Sequence, residues 1–390
     1  MELFFWIAAT IIAYTYLGYA ILLYVLVCLK RIICKAEKHE VVDTPPITLL
    51  IAAYNEADII AAKMANTRKL DYPNLEILWV TDGSTDESNK LLATYPDVRV
   101  CFSSERRGKT AALNHGMQAV KTPLVVFTDA NTMLNETAID EINRCFADPE
   151  VGCVSGEKRI ATNERDSASG GGEGIYWLYE SKLKAWDSAL YSATGAAGEL
   201  FAVRTELFEA MPEDTLLDDF ILSMRIAIKG YKISYCKEAY AVESGSEDMA
   251  NESKRKVRIA AGGLQSIARL LPLWNIFKFP VFSFQYISHR VLRWSLTPVL
   301  LFLLFPLNAY LAVSSSYPAL YQGLFALQVV FYTAAALGFY YQNRKIKVKL
   351  FFIPMYFVFM NWNVLRAVPY LMKNRGKGAW EKAKRSNQPI

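Results

Sequence analysis

The chain lacks any spaced pair of cysteines. Its six, Cys28, Cys34, Cys101, Cys145, Cys153 and Cys236, form no CxxC and no His/Cys ligand spacing. That excludes a zinc module or a disulfide framework and leaves reduced structural thiols as the default. A strong charge imbalance is missing too, since the net charge is only +5 over 390 residues. The basic residues gather at the borders of apolar runs, where anionic lipid and topology account for them, so nucleic-acid binding gains no support. No internal repeat is visible. The most telling absence is local: residues 3–29 (LFFWIAATIIAYTYLGYAILLYVLVCL) hold no charge. At about 1.5 Å per residue this run exceeds the roughly 30 Å hydrocarbon core. A secretory signal would need a basic start and a shorter apolar stretch, so residues 1–30 read as a membrane helix.

The 53% hydrophobic content is uneven and rises again past residue 270. Residues 271–290, with Trp and Phe around a lone Lys, read as an interfacial helix. Within 291–372, the runs 296–313 and 319–341 are each long enough to span. Residues 350–372 are interrupted by Pro354, Asn361, Asn363 and Arg366. They read as a third span if those polar groups are buried against protein, and otherwise as a re-entrant or interfacial segment. Lys30, Arg31, Lys35 and Lys38 follow the first span while only Glu2 precedes it. The excess of positive charge predicts an integral protein of the plasma or inner membrane whose middle region, 44–270, is cytosolic. Arg344, Lys345, Lys347 and Lys349 agree, and the basic tail 373–390 also prefers the cytosol.

In that middle region, apolar runs near 47–53, 75–81, 98–102, 123–128 and 151–155 alternate with helical stretches at 57–69, 86–94, 109–120 and 135–147. Alternation of this kind predicts an α/β domain with a mostly parallel sheet and helices on both faces. In LEILWVTDGSTDES (75–88), Ser84 stands three residues before Glu87, a possible capping box. After 160 the pattern loosens. A Gly-rich loop (167–177) leads into an aromatic helix, TGAAGELFAVR (194–204) reads as a strand, and DTLLDDFILSMRIAIKG (214–230) reads as a helix starting at the Asp pair and closing at Gly230. Two short strands and a basic helix at 252–270 follow.

The ends of successive strands carry Tyr54, Asn55 and Glu56, then Asp82, then Lys109, then Asp129 and Asn131. In a parallel sheet these ends lie on one edge, where a carboxylate can accept from a base N–H and a lysine can face phosphate. Each residue alone has a plainer reading, as a turn Asp or a solvated helix start. Their order is more specific. The string YNE, DGSTD, GK, TDAN, LLDD and a basic RxxR resembles the inverting family 2 glycosyltransferases of GT-A (Rossmann-like) fold, from about residue 44 to the last apolar segment. The membrane-embedded polysaccharide synthases for poly-N-acetylglucosamine, hyaluronan and cellulose are the nearest in pattern.

That resemblance implies a transferase moving a sugar from a UDP-sugar to a growing polysaccharide or membrane-bound acceptor. Ala53, Tyr54 and Glu56 would line base and ribose, Asp82 would pair with uracil, Lys109 would lie near the nucleotide's sugar or phosphates, and Arg258 would stabilise the departing diphosphate. Asp129 matches the first acid of the family's D-x-D loop, with Asn131 in the third position, so Mg²⁺ or Mn²⁺ would bind there with less charge to hold it. Asp219 would be the general base, with Asp218 beside it. Gly195, Gly198, Trp177 and Glu173 would lie near the acceptor. Where the synthases carry Q-x-x-R-W, this chain has Arg255, Arg258 and Ile259, which removes the Trp of the acceptor platform. Lys254 and Lys256 read alternatively as a membrane-facing basic stripe. Two other functions stay open: single-sugar transfer to a lipid, and a non-catalytic UDP-sugar-binding membrane scaffold.

Overall fold

The computed structural model describes residues 1–34, 43–160, 171–243, 249–344, 348–374 and 376, with the side chains of 171–176, 343 and 349 also outside that set. Lys35, Lys38, Lys345, Lys347, the start of the Gly-rich loop and most of the basic tail therefore lie outside the described residues.

Continuous Val, Ile and Leu runs form central strands buried on both faces, as parallel sheets require, whereas the strand Arg99–Ser103 is largely exposed. β1 (Ile47–Ala53), β2 (Leu75–Asp82), β3 (Arg99–Ser103), β4 (Leu124–Asp129), β5 (Thr132–Leu134), β6 (Val151–Ile160), β7 (Leu200–Arg204) and β8 (Lys232–Glu243) make one sheet in the order β3-β2-β1-β4-β7-β6-β8-β5. The pairs β1–β2, β2–β3, β1–β4 and β6–β8 are parallel, and β4–β7, β6–β7 and β5–β8 antiparallel. One apolar layer joins Leu50, Leu78, Val80, Phe127 and Phe201 to the helix Asp218–Ile228. The opposite layer joins Ile47, Leu49, Ile51, Trp79 and Val126 to the helices Ala57–Thr67 and Ala138–Cys145. Because β2 and β4 flank β1 on opposite sides, the chain reverses its winding at the carboxyl end of β1. A crevice opens there.

Three local readings change. Ser84 and Glu87 form no capping box: the Ser84 hydroxyl accepts the Asn55 N–H at 3.1 Å, and the helix Ser88–Leu92 starts without a side-chain cap. The two short strands expected before the basic helix are the single strand β8, which bulges opposite Gly156 and Glu157, where its partner jumps from Cys236 to Tyr240. Residues 271–290 are not one helix. A short turn at Leu271–Trp274 and a separate helix from Pro280–Tyr286 replace it, since Pro280 lacks the N–H to continue a helix through it. Phe277 in between is 92% exposed, whereas Phe282, Gln285, Tyr286 and His289 are buried.

Four helices are long and apolar enough to cross a membrane: Glu2–Ile33, Leu296–Ser314, Pro318–Gln342 and Leu350–Lys373. The first widens into a π-helical turn at Tyr14–Gly18, a local bulge of the kind that often marks a functional site. The last stays unbroken through Pro354 and Pro369. Its polar groups are met by protein, the condition a third span requires. The Tyr16 hydroxyl donates to Asn361 Oδ1 at 2.5 Å, Ser253 Oγ donates to Asn363 Oδ1 at 2.8 Å, and Arg366 donates to Ser253 Oγ at 2.8 Å.

Candidate active site

The rim of the crevice is built from turns that hold one another. Asn55, in a left-handed conformation at φ 52°, accepts the Thr85 N–H on its side-chain oxygen at 2.8 Å. The Glu56 N–H reaches Ser88 Oγ at 2.9 Å, and the Ala57 N–H reaches Asp86 at 3.1 Å. The YNE and DGSTD turns are thus one unit. Asp82 is 6% exposed, and its two oxygens accept the backbone N–H groups of Arg107 and Gly108, each at 2.8 Å. It therefore fixes the loop that presents Lys109 as well as facing the crevice. Arg106 stacks on the Tyr54 ring at 3.9 Å.

Lys109 starts its helix with Nζ at 2.7 Å from Asp129 Oδ1 and 3.6 Å from Asp218 Oδ2. Burial opposes its charge, but Asp129 and Asp218 outweigh that and raise its pKa above the usual lysine value. The Asp pair opens the helix Asp218–Ile228, where the macrodipole favours acids. Asp219 nevertheless has its pKa pushed up to about 7, by burial first and by Asp218 second, with Lys109 opposing. Arg258 lies in the same crevice; burial pulls its pKa down while Asp218 and Asp129 oppose the shift. Arg255 also lines the cavity but is held by acids, donating to Glu252 at 3.1 Å with Glu243 at 3.7 Å. Lys256 is not part of a membrane-facing stripe: it is buried, 3.3 Å from Glu252 and over the Trp177 ring.

Asp129, Asn131 and the second oxygen of Asp218, which is buried without a hydrogen-bond partner, give the crevice hard oxygen donors. Among the described residues no trio of His, Cys, Asp or Glu closes a metal cage. Few protein oxygens beside a phosphate site is the arrangement Mg²⁺ prefers, with substrate phosphates completing its shell. The donor set fits such an ion.

One cavity of about 1240 Å³ joins all this to the membrane helices. Its lining takes in Ala53, Tyr54, Glu56 and Asp82, then Lys109, Asp129, Asn131, Asp218, Asp219 and Arg258, Trp177 and Gly198, and, from the first and last membrane helices, Tyr16, Leu17, Ile353 and Phe357. Gly195 is a forced choice, and Gly198 is a tight one. Gly195 has φ 101°, and a Cβ there would sit 2.3 Å from the Phe220 ring. At Gly198 a Cβ would meet the Asp219 carboxylate at 3.0 Å. Glu173 lies in the helix Gly171–Leu190, but its side chain is outside the described residues.

The family model for "Glycosyltransferase like family 2" matches residues 45–262, more than half of the chain. The chain belongs to this family. Poly-β-1,6-N-acetyl-D-glucosamine synthase of Staphylococcus aureus (strain MSSA476) is 29% identical over 235 residues, 57% of this chain and 56% of that protein. The synthase of the same name from Staphylococcus epidermidis is 24% identical over 263 residues, 64% and 61% of the two chains. The matched part thus spans little more than half the length of those relatives. The mannosyltransferase PcManGT from Pyrobaculum calidifontis, solved in complex with GDP-Man and Mn²⁺, superposes with a TM-score of 0.68 over 95% of this chain and 99% of its own, at 23% identity. That likeness establishes the GT-A-like fold.

In this family 2 chain, several charged groups at the far end of the cavity carry no motif in the sequence. Lys158 pairs with Glu199 and Glu243. Glu180, Lys184, Arg290 and Arg293 also line the space. Their one sequence signal is the spacing of Trp177, Glu180, Lys184 and Asp187, which puts them on one face of a helix.

Proposed function

We propose that the protein is a membrane-integral, inverting glycosyltransferase that takes a sugar from a UDP-sugar on the cytosolic side and adds it to a polysaccharide or other membrane-bound acceptor. The observation that carries this reading is the single cavity from Asp82, past Asp219, to the membrane helices. It gives donor and membrane-held acceptor a common space. The Staphylococcus relatives make N-acetylglucosamine the first donor sugar to try.

Asp82, Tyr54 and Glu56 would hold the uridine, and Lys109 and Arg258 the diphosphate. The carboxylate of Asp219 would accept the proton of the acceptor hydroxyl while that oxygen bonds to the sugar C1 and the C1–O bond to UDP breaks, the electron pair leaving with UDP. A base whose pKa lies near 7 suits this proton transfer. Lys109 would meet the charge that develops on the leaving group. Mg²⁺ or Mn²⁺, held by Asp129 and Asn131, would supply further neutralisation of the diphosphate when bound.

The test is UDP release by detergent-purified protein with a panel of UDP-sugars, Mg²⁺ or Mn²⁺, and native membranes as acceptor. One donor should give metal-dependent release that falls about 10²–10⁴-fold in Asp219→Asn. UDP binding without release under any condition would overturn the reading in favour of a non-catalytic scaffold.

A further inference from the structure

Behind the loop of Asp129 and Asn131 lies a buried ammonium. Lys63, two turns into the helix Ala57–Thr67, is 0% exposed. Its Nζ donates to the Thr132 carbonyl at 2.6 Å and to Thr128 Oγ1 at 3.3 Å. These two residues flank the loop: Thr128 immediately precedes Asp129 in β4, and Thr132 immediately follows Asn131 and opens β5. One side chain thus ties the two ends of the loop together. The hydroxyls continue the tie. Thr132 Oγ1 donates to the Asp129 carbonyl at 3.0 Å and lies 3.0 Å from Thr128 Oγ1, which in turn donates to the Glu199 carbonyl at 2.9 Å. None of these bonds takes up the Asp129 carboxylate, which is partly exposed and lines the cavity with Asn131.

Packing alone does not call for a lysine here. Withdrawing an ammonium from water is costly, whereas a Met or Leu fills such a space without that cost. Nor is the lysine needed to dock the helix on the sheet. One turn on, Asn66 already clasps Leu134 of β5, donating to its carbonyl at 2.8 Å and accepting its N–H at 2.9 Å. What Lys63 adds is the hold on residues 128 and 132, on either side of the acid and the amide. The same helix begins at the YNE turn, where the Glu56 and Ala57 N–H groups are bonded to Ser88 and Asp86. About 9 Å of helical rise separates Ala57 from Lys63. A single rigid element therefore spaces the turn assigned to the uridine from the loop assigned to the diphosphate and its cation.

We propose that Lys63 is a positioning residue: through Thr128 and Thr132 it holds Asp129 and Asn131 in the arrangement that takes up a divalent cation together with UDP. The metal-binding role of the loop comes from the transferase reading above; the clamp itself does not depend on it.

The experiment uses the full chain in detergent. Mn²⁺ uptake in saturating UDP is read from the loss of the free-ion EPR signal, and UDP binding without metal from calorimetry. Lys63→Met, close in length and without donors, should raise the Mn²⁺ concentration for half-saturation at least about tenfold and leave metal-free UDP affinity unchanged. Thr128→Val keeps the shape of the loop, removes one partner of Lys63 and should raise the same concentration by about threefold. It carries the test if Lys63→Met does not fold, which thermal midpoints report. An unchanged Mn²⁺ titration in the folded variants would overturn the clamp. So would an equal loss of Mn²⁺ and metal-free UDP affinity, which marks a general loosening of the domain. A wild type that binds UDP and takes up no Mn²⁺ would overturn it as well. UDP release from a UDP-sugar is scored in parallel. Lys63-dependent Mn²⁺ uptake without release would refute the transferase and leave the clamp standing, and release with an unchanged Mn²⁺ titration would do the reverse.

Discussion

The two ends of the cavity are built in different ways. At the strand rim, the groups are neighbours in sequence or sit in turns clasped to each other: Asn55 with Ser84 and Thr85, Asp82 with Arg107 and Gly108. At the membrane end, they come from remote segments. Tyr19 of the first membrane helix donates to Asp187; Gln285 and His289 meet the same carboxylate at 3.2 Å and 2.6 Å; and Thr194, one residue before the Gly195 turn, bonds both Asp187 and His289. The rim is secured by backbone turns that each fold locally. The membrane end is secured by buried polar side chains that depend on every partner being present.

The largest test of that contrast is Asp187→Ala. It strands Tyr19, Gln285, Thr194 and His289 together, and the expected cost is about 3–5 kcal/mol, as for breaking a buried charged network. Asp82→Asn keeps most of its shape and is expected to cost about 1–3 kcal/mol while weakening UDP binding. Thermal midpoints of the two variants in detergent measure this. A smaller loss in Asp187→Ala than in Asp82→Asn would break the comparison.

The next effect concerns pH at the junction of the two ends. Asp219 has a folded pKa raised to about 7 from an ordinary carboxylate value, so its neutral form is the one the fold favours. Any stability it lends is fully present below the ordinary value of 3.8 and is lost progressively as pH rises from there to about 7. Sugar transfer needs the charged form and should rise about tenfold per pH unit below that point, then level off. Asp219→Asn, already neutral, should gain stability relative to wild type as pH rises from about 4 to about 7, with the difference constant above that. A flat rate profile between pH 5 and 8 would remove Asp219 as base.

The smallest expected effect is at the metal. Asn131→Asp restores the second acid of the D-x-D pattern beside Asp129, and should lower the Mn²⁺ concentration for half-maximal release several-fold, about 1 kcal/mol of binding. An unchanged titration would separate Asn131 from the metal.

Much of the rim was readable in advance. Asp82, Lys109, Asp129 and Asp219 stand where a strand ends or a helix begins, and parallel topology brings such positions to one edge. The dual use of Asp82, which anchors the Lys109 loop as well as facing the crevice, was not readable, because the N–H groups it accepts lie 25 and 26 residues away. Gly195 and Gly198 could be singled out as small residues, but only the Phe220 ring explains why no side chain fits at Gly195, and only the Asp219 carboxylate why the space at Gly198 is tight. For Arg290 and Arg293 the sequence shows ordinary basic residues. Their placement is explained by the Glu180 carboxylate they share.

By itself, then, the sequence determined the alternating α/β domain, its family and the apolar segments long enough to cross a membrane, because strand and helix periodicity and hydrocarbon thickness act over short stretches of chain. Only the tertiary structure decided that the last segment is one helix with its Asn and Arg met by protein. It also decided that the crevice continues to the membrane helices. The lining of a buried space is a property of all the groups that face it, and those groups are up to 345 residues apart, as Tyr16 and Asn361 are.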